Sequence, residues 1–202
     1  MLVGTFGART KTALSIPVVL PLLPGSNQDP TEQGTKACPG LGGGHNWQAT
    51  TFNPQTGWYY FGTSEGCQIY YNTKMEFREG EWYQASTAQG VPTEPQTGAV
   101  VALDPGTGAV KWKFEMLTSP SAGLLSTAGG LVFAGDPQGY IFGLDAKTGK
   151  SLWDFYTGGP VGAPPMTYTL NGKQYLTVMT GASIMTFVLP EEPGRGARGA
   201  GR

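Results

Sequence analysis

Cys38, Cys67 and His45 are the side chains of this sequence with the most reactive chemistry, and their number limits what they can do. Two cysteines and one histidine fall short of the four ligands that a structural zinc site requires. The cysteines can form a disulfide or remain two free thiols, and their spacing does not choose between these. His45 could serve as a general base, but nothing in the sequence identifies a partner for it. Its setting, "GLGGGHNW" (40–47), reads as an exposed loop. The sequence therefore assigns no catalytic residue and no metal ligand.

Carboxylates and hydroxyls that recur at fixed spacing do another kind of work. "LDPGTGAVKWKF" (103–114) and "LDAKTGKSLWDF" (144–155) agree at Leu103/Leu144, Asp104/Asp145, Thr107/Thr148, Gly108/Gly149, Trp112/Trp153 and Phe114/Phe155, every pair 41 residues apart. In this D-x-x-T-G-x-x-x-W pattern the Asp and Thr side chains can bond the backbone of their own turn, and Gly accepts its left-handed position. The Trp follows the Gly by four residues, on the next strand, where its ring can fill the space between neighbouring sheets. A structural role for Trp112 and Trp153 follows. "NPQTGWYYF" (53–61) keeps the turn and puts Phe61 in the Trp position, which reads as a degenerate third copy. A period near 40 with Gly, Asp and Trp markers belongs to propeller blades rather than to helical solenoids.

The elements that must hold these turns are short strands. The chain has 202 residues, 13 basic and 14 acidic, so no nucleic-acid footprint is expected. Arg195, Arg198 and Arg202 read as part of a solvated end. Gly (32) and Pro (16) make up about a quarter of the chain, but they alternate with Val, Ile, Phe, Tyr and Trp as in a turn-rich all-β protein. No window carries a long 3.6-residue period. Strands are expected in "WQATTFNP", "WYYFGTS", "CQIYYNT" and "GAVVALDPGTGAVKWKFEM". Three more follow between Gly129 and Gly159, with turns at Asp136–Gly139 and Asp145–Gly149, and three between Ala163 and Pro190, with Asn171-Gly172 as a hairpin dipeptide. Residues 73–96 read as an excursion that stretches one blade. The apolar run Ala13–Leu23 imitates a signal peptide, but Pro17 and Pro21 interrupt it and no A-x-A site follows. It is too short to span a bilayer and is expected to be an extended loop or edge strand. The Gly/Arg tail from 191 to 202 is expected to be disordered.

The turn–Trp repeat resembles the tryptophan-docking motif of the quinoprotein, or pyrroloquinoline quinone (PQQ)-dependent, alcohol dehydrogenases. "DPTEQGTKACPGLGGGHNWQATTFNPQTG", "EGCQIYY", "AGLLSTAGGLVFAGDPQGYIFGLDAKTGKSLW" and "GGPVGAPPMTYTLNGKQYLTVMTG" resemble the late blades of that family, covering residues from about 25 to 190. The resemblance implies an all-β arc of about four four-stranded blades, part of an eight-bladed propeller. It would comprise an extended segment (1–36), the blades (37–190) and the tail (191–202). It further implies a disulfide between Cys38 and Cys67, a periplasmic location, and PQQ contacted by Asn46, with His45 and Trp47 as weaker candidates.

The whole family enzyme also uses Ca²⁺, a catalytic Asp, adjacent cysteines, and a cytochrome or quinone acceptor. None of these protein groups is found in this chain, so it is expected to be inactive alone and to need the missing N-terminal half or self-association. Relatives often carry a Trp where this chain has Ser121, and "TGAS" (180–183) lacks a Trp found in some of them. Loss of that aromatic keeps a second class open, a non-catalytic PQQ-repeat scaffold for protein binding in the bacterial envelope.

Overall fold

The computed structural model describes residues 29–84 and 86–189, and among these it contains fourteen strands and no helix. They are β1 (Thr35–Ala37), β2 (Thr51–Asn53), β3 (Trp58–Glu65), β4 (Gln68–Asn72), β5 (Ser86–Gly90), β6 (Thr97–Leu103), β7 (Val110–Met116), β8 (Leu125–Ser126), β9 (Leu131–Gly135), β10 (Tyr140–Asp145), β11 (Ser151–Tyr156), β12 (Met166–Leu170), β13 (Lys173–Thr180) and β14 (Ser183–Val188). Four antiparallel sheets result: sheet I, β1-β4-β5; sheet II, β2-β3-β6-β7; sheet III, β11-β10-β9-β8; sheet IV, β12-β13-β14. The expected edge strand near residues 13–23 and the expected disordered tail lie outside the described residues.

The all-β arc is present, but its sheets hold three, four, four and three strands rather than four throughout. "CQIYYNT", the third strand candidate after "WQATTFNP" and "WYYFGTS", does not join the sheet that those two form. It becomes β4, which leaves sheet II to pair with β1 and β5, and β6 takes the third position beside β3. The reason is the uninterrupted burial of Gly98–Ala102. That segment can serve an interior strand covered on both faces, whereas β4 is only half-buried.

Sheets II, III and IV pack face to face in sequence order. Side chains alternate across each strand, so β7 turns Trp112 and Met116 inward and Lys111, Lys113 and Glu115 outward. Between sheets II and III the core is Tyr60, Val100, Ala102, Trp112 and Met116 against Leu124, Val132, Ala134, Leu144 and Ala146. Between sheets III and IV it is Phe133 and Ile141 against Leu176 and Val178, with Trp153, Met185 and Phe187 at its margin. The β12–β13 turn is Asn171-Gly172, both left-handed at φ 51° and 75°, as a two-residue hairpin demands.

Candidate functional site

The repeated turns have the chemistry that their residue types imply. Asp104 Oδ1 accepts the Gly106 N–H at 2.9 Å, and Asp145 Oδ1 accepts from Lys147 N–H, Thr148 N–H and the Thr148 hydroxyl at 2.8–3.0 Å. Thr107 and Thr148 each accept a backbone N–H two residues on, at 3.3 Å. The Lys111 ammonium, 3.1 Å away, and then the Gly106 N–H hold the Asp104 carboxyl below the usual carboxylate range. For Asp145 the Thr148 hydroxyl is the main cause of the same shift. Asn53–Gly57 makes an equivalent turn, but it joins the first and second strands of its sheet. The Asp turns join the third and fourth. The third copy therefore shares turn chemistry without sharing the blade position, and Phe61 is not a docking residue but packs edge-on against His45.

Register makes the two tryptophans equivalent: Tyr60, Ala102 and Trp112 form one cross-sheet row, and Phe133, Gly143 and Trp153 form the matching row in the next sheet. Their surroundings differ. Trp112 is buried and donates its Nε1–H to the Ala146 carbonyl at 2.9 Å, across the junction to sheet III. Trp153 is half-buried and lines an apolar cleft of about 630 Å³ with Phe133, Leu131, Tyr175 and Phe187.

The innermost strands of three sheets begin at one point. Ala49 O accepts the Leu124 N–H at 2.8 Å, just before β2 and β8 respectively. Gly123 is wedged there: a β-carbon on it would stand 2.7 Å from that of Ala49 and 2.8 Å from Pro164, which precedes β12. Only glycine permits this approach. Below it the Thr51 and Ser126 hydroxyls lie 2.9 Å apart, and Asn53 and Gln55 donate to the Thr127 and Ala128 carbonyls.

"GLGGGHNW" leads into this convergence. Its entrance is fixed by the Cys38–Cys67 disulfide and by Gly40 N–H donating to Gly66 O at 3.0 Å. Ser64 N–H donates to Gly44 O at 2.9 Å, and His45 Nδ1–H to Gly62 O at 2.8 Å, so the loop runs along β3. Asn46 follows, its Nδ2 only 3.3 Å from Gly42 O, and Trp47 is 72% exposed. His45, Asn46 and Trp47 thus stand consecutively in the loop that leads to Ala49, with the Asn46 amide turned back to Gly42 O and the Trp47 indole exposed. Nδ1 of the imidazole is already engaged by a carbonyl, so His45 is oriented along β3. Among the described residues no group of three or more His, Cys, Asp or Glu side chains could hold a metal ion.

Sequence reasoning missed a buried hydroxyl cluster on the side of the sheets where Gly123 lies. Thr157 and Thr180 place their Oγ1 atoms 2.7 Å apart, each within reach of Gly159 O, and Thr157 also reaches Gly139 O at 2.9 Å. Asp136, 4% exposed, accepts Tyr140 N–H on its carboxylate and Val161 N–H on its carbonyl. Ser121 donates to Val161 O at 2.8 Å, so it ties together two strand-to-strand connections where relatives were expected to place an aromatic wall. A legible signal existed: Thr157 and Thr180 each follow a strand-like run and immediately precede Gly.

Residues 96–188 match a PQQ-repeat family model described as outer membrane protein assembly factor BamB. The chain is 34% identical over 140 residues to a quinoprotein ethanol dehydrogenase of Pseudomonas aeruginosa, covering 69% of this chain and 22% of that protein. It is 36% identical over 143 residues to quinohemoprotein alcohol dehydrogenase ADH IIB of Pseudomonas putida, covering 69% and 21%. The chain thus spans about a fifth of the length of the curated relatives it matches. Among solved structures it superposes on quinohemoprotein alcohol dehydrogenase from Comamonas testosteroni with a TM-score of 0.65 and 31% identity, covering 79% of this chain and 25% of that one. A europium-containing methanol dehydrogenase gives 0.66 and 29%, covering 77% and 28%.

Proposed function

As a member of the quinoprotein alcohol dehydrogenase family that spans about a fifth of its relatives' length, the chain is, we propose, the late part of a PQQ-binding propeller and forms one wall of its cofactor chamber. The supporting observation is that Asn46 and Trp47 lie three and two residues before Ala49, which meets Gly123 where Pro164 also approaches and the first strands of three sheets begin. Asn46 presents an amide that can both donate and accept toward carboxylate or carbonyl oxygens of a planar quinone. Trp47 offers an indole for stacking, and His45, held by Gly62 O, steers the loop. PQQ, when bound, accepts the electrons of the alcohol, and the protein's task is to hold and polarise it. Among the described residues no three His, Cys, Asp or Glu side chains gather, and this reading assigns metal and base to the part of the enzyme outside this chain. Oxidation of an alcohol or sugar, transfer to a cytochrome or quinone, and a periplasmic setting belong to the assembled enzyme.

Titration of the purified chain with PQQ, followed by indole fluorescence, tests this reading. Binding that weakens about tenfold in Asn46→Ala is expected, which corresponds to one lost polar contact of about 1.4 kcal/mol. With PQQ and Ca²⁺ the chain alone is expected not to reduce an artificial acceptor with ethanol or glucose. Turnover by the isolated chain would overturn the division of labour, and unaltered binding in Asn46→Ala would remove the assigned wall. A second reading, a non-catalytic PQQ-repeat scaffold that binds proteins in the bacterial envelope, draws on the family-model description and on Ser121. Absence of any PQQ binding by the chain would favour it.

A further inference from the structure

We propose that the rim where sheets II and III meet is a docking site for an arginine side chain carried by a partner protein. Phe142 shares its face with Ala134, in the core between these two sheets, and alternation puts Tyr140 on that face as well. Register adds two more residues there, because Tyr156 stands opposite Tyr140 and Asp154 stands opposite Phe142. Phe114 of β7, Phe142, Tyr140 and Tyr156 then meet in turn, with ring centroids 5.4, 6.0 and 5.1 Å apart. The run starts against the core at Phe114 and ends in solvent, where Tyr140 is 38% and Tyr156 58% exposed. Sheets II and III are both in place, so this exposure belongs to a formed junction and not to an uncovered end face.

Charge selects the occupant. Asp154 is exposed, and among the described residues its carboxylate has no hydrogen bond and no ion pair. It stands directly across from Phe142 and two residues before Tyr156, so its β-carbon lies within about 7 Å of both of theirs. A carboxylate and the π faces of aromatic rings both attract a cation and repel an anion. Trp112, Phe114 and Met116, which β7 turns toward the same junction, bring no opposing charge. A guanidinium suits both halves of the patch, because its plane stacks on a tyrosine ring while its N–H groups reach the carboxylate. An ammonium is a compact, strongly hydrated point charge and gains less from the ring. The rings form an open platform, whereas small molecules take enclosed clefts, so the guanidinium is one presented by a larger partner. The patch lies on β10 and β11, the third and fourth strands of sheet III, while Asn46 and Trp47 precede β2. Its failure therefore leaves the cofactor reading untouched.

Titration of the full chain with a blocked Gly-Arg-Gly peptide, followed by the ring proton shifts of Tyr140 and Tyr156, tests the proposal. Saturation with a dissociation constant of about 1 to 10 mM is expected, as fits a single side chain on an open surface. Asp154→Asn and Tyr156→Leu should each weaken binding about fivefold, with the far-ultraviolet circular dichroism unchanged. Gly-Lys-Gly should bind about threefold more weakly than its arginine counterpart. Glu79→Gln, which removes an exposed carboxylate elsewhere on the chain, should leave binding as it was. Shifts that do not saturate by about 50 mM, undiminished binding in both patch variants, a lysine peptide that binds as tightly, or an equal loss in Glu79→Gln would each overturn the assignment.

Discussion

Gly149 lies against the indole of Trp112 so closely that a β-carbon at that position would stand 2.6 Å from the ring. The two residues come from adjacent sheets, and the same turn supplies the Ala146 carbonyl that receives the indole N–H. Gly149 also has φ of +71°. Gly149→Ala therefore meets both backbone strain and overpacking, and a loss of about 2–4 kcal/mol is expected in urea unfolding. A loss below 1 kcal/mol would mean that the turn slides off the ring.

Trp112 shares its acceptor with Tyr60, whose hydroxyl also stands 2.9 Å from Ala146 O. Burial pushes the Tyr60 phenol above its usual range, so it stays a donor at neutral pH. With either donor removed, the carbonyl keeps a partner; with both removed, it is left buried and unpaired. Tyr60→Phe and Trp112→Phe combined should cost about 1–2 kcal/mol more than the sum of the single changes, measured by a double-mutant cycle. Strict additivity would contradict the shared acceptor.

The two repeat tryptophans should not be equal in weight. Trp112→Ala empties a closed junction and is expected to cost about 3–5 kcal/mol, whereas Trp153→Ala enlarges a cleft that is already open and should cost about half as much. Thermal unfolding of the two variants side by side checks the order.

Thr157 and Thr180 join sheets III and IV through buried hydroxyls. Thr157→Val should cost about 1–3 kcal/mol, because it leaves Thr180 Oγ1 and the Gly159 carbonyl competing for fewer bonds. Thr157→Ser, which keeps the hydroxyl, should recover most of that loss.

Acid should act through the repeat turns. The carboxyls of Asp104 and Asp145 lie below their ordinary values when folded. The unfolded chain therefore binds protons first as pH falls, and the stability these groups contribute is present above about pH 4 and lost as pH drops through their folded values. Asp145→Asn should flatten this acid limb in a plot of urea midpoint against pH. A limb of unchanged steepness would assign acid sensitivity to other groups. Reduction of Cys38–Cys67, which closes a sequence separation of 29 residues, should independently lower stability by about 3 kcal/mol at neutral pH.

Much of this protein is legible one residue at a time. The turns at Asp104 and Asp145, the hairpin at Asn171-Gly172 and the alternation of β7 follow from local chemistry, because a turn's side chains bond their own backbone and a strand's faces alternate whatever surrounds it. The 41-residue register likewise follows from repetition alone. Contacts between sheets are not written locally. That β4 leaves its neighbours for β1, that Trp112 finds a carbonyl while Trp153 borders a cleft, that Thr157 meets Thr180, and that Gly123 holds three strand beginnings together depend on which surfaces meet across tens of residues. Sequence determines what each segment can pair with; only the packed sheets decide which partner it receives, because burial and hydrogen bonding are satisfied jointly across a junction and not within a strand.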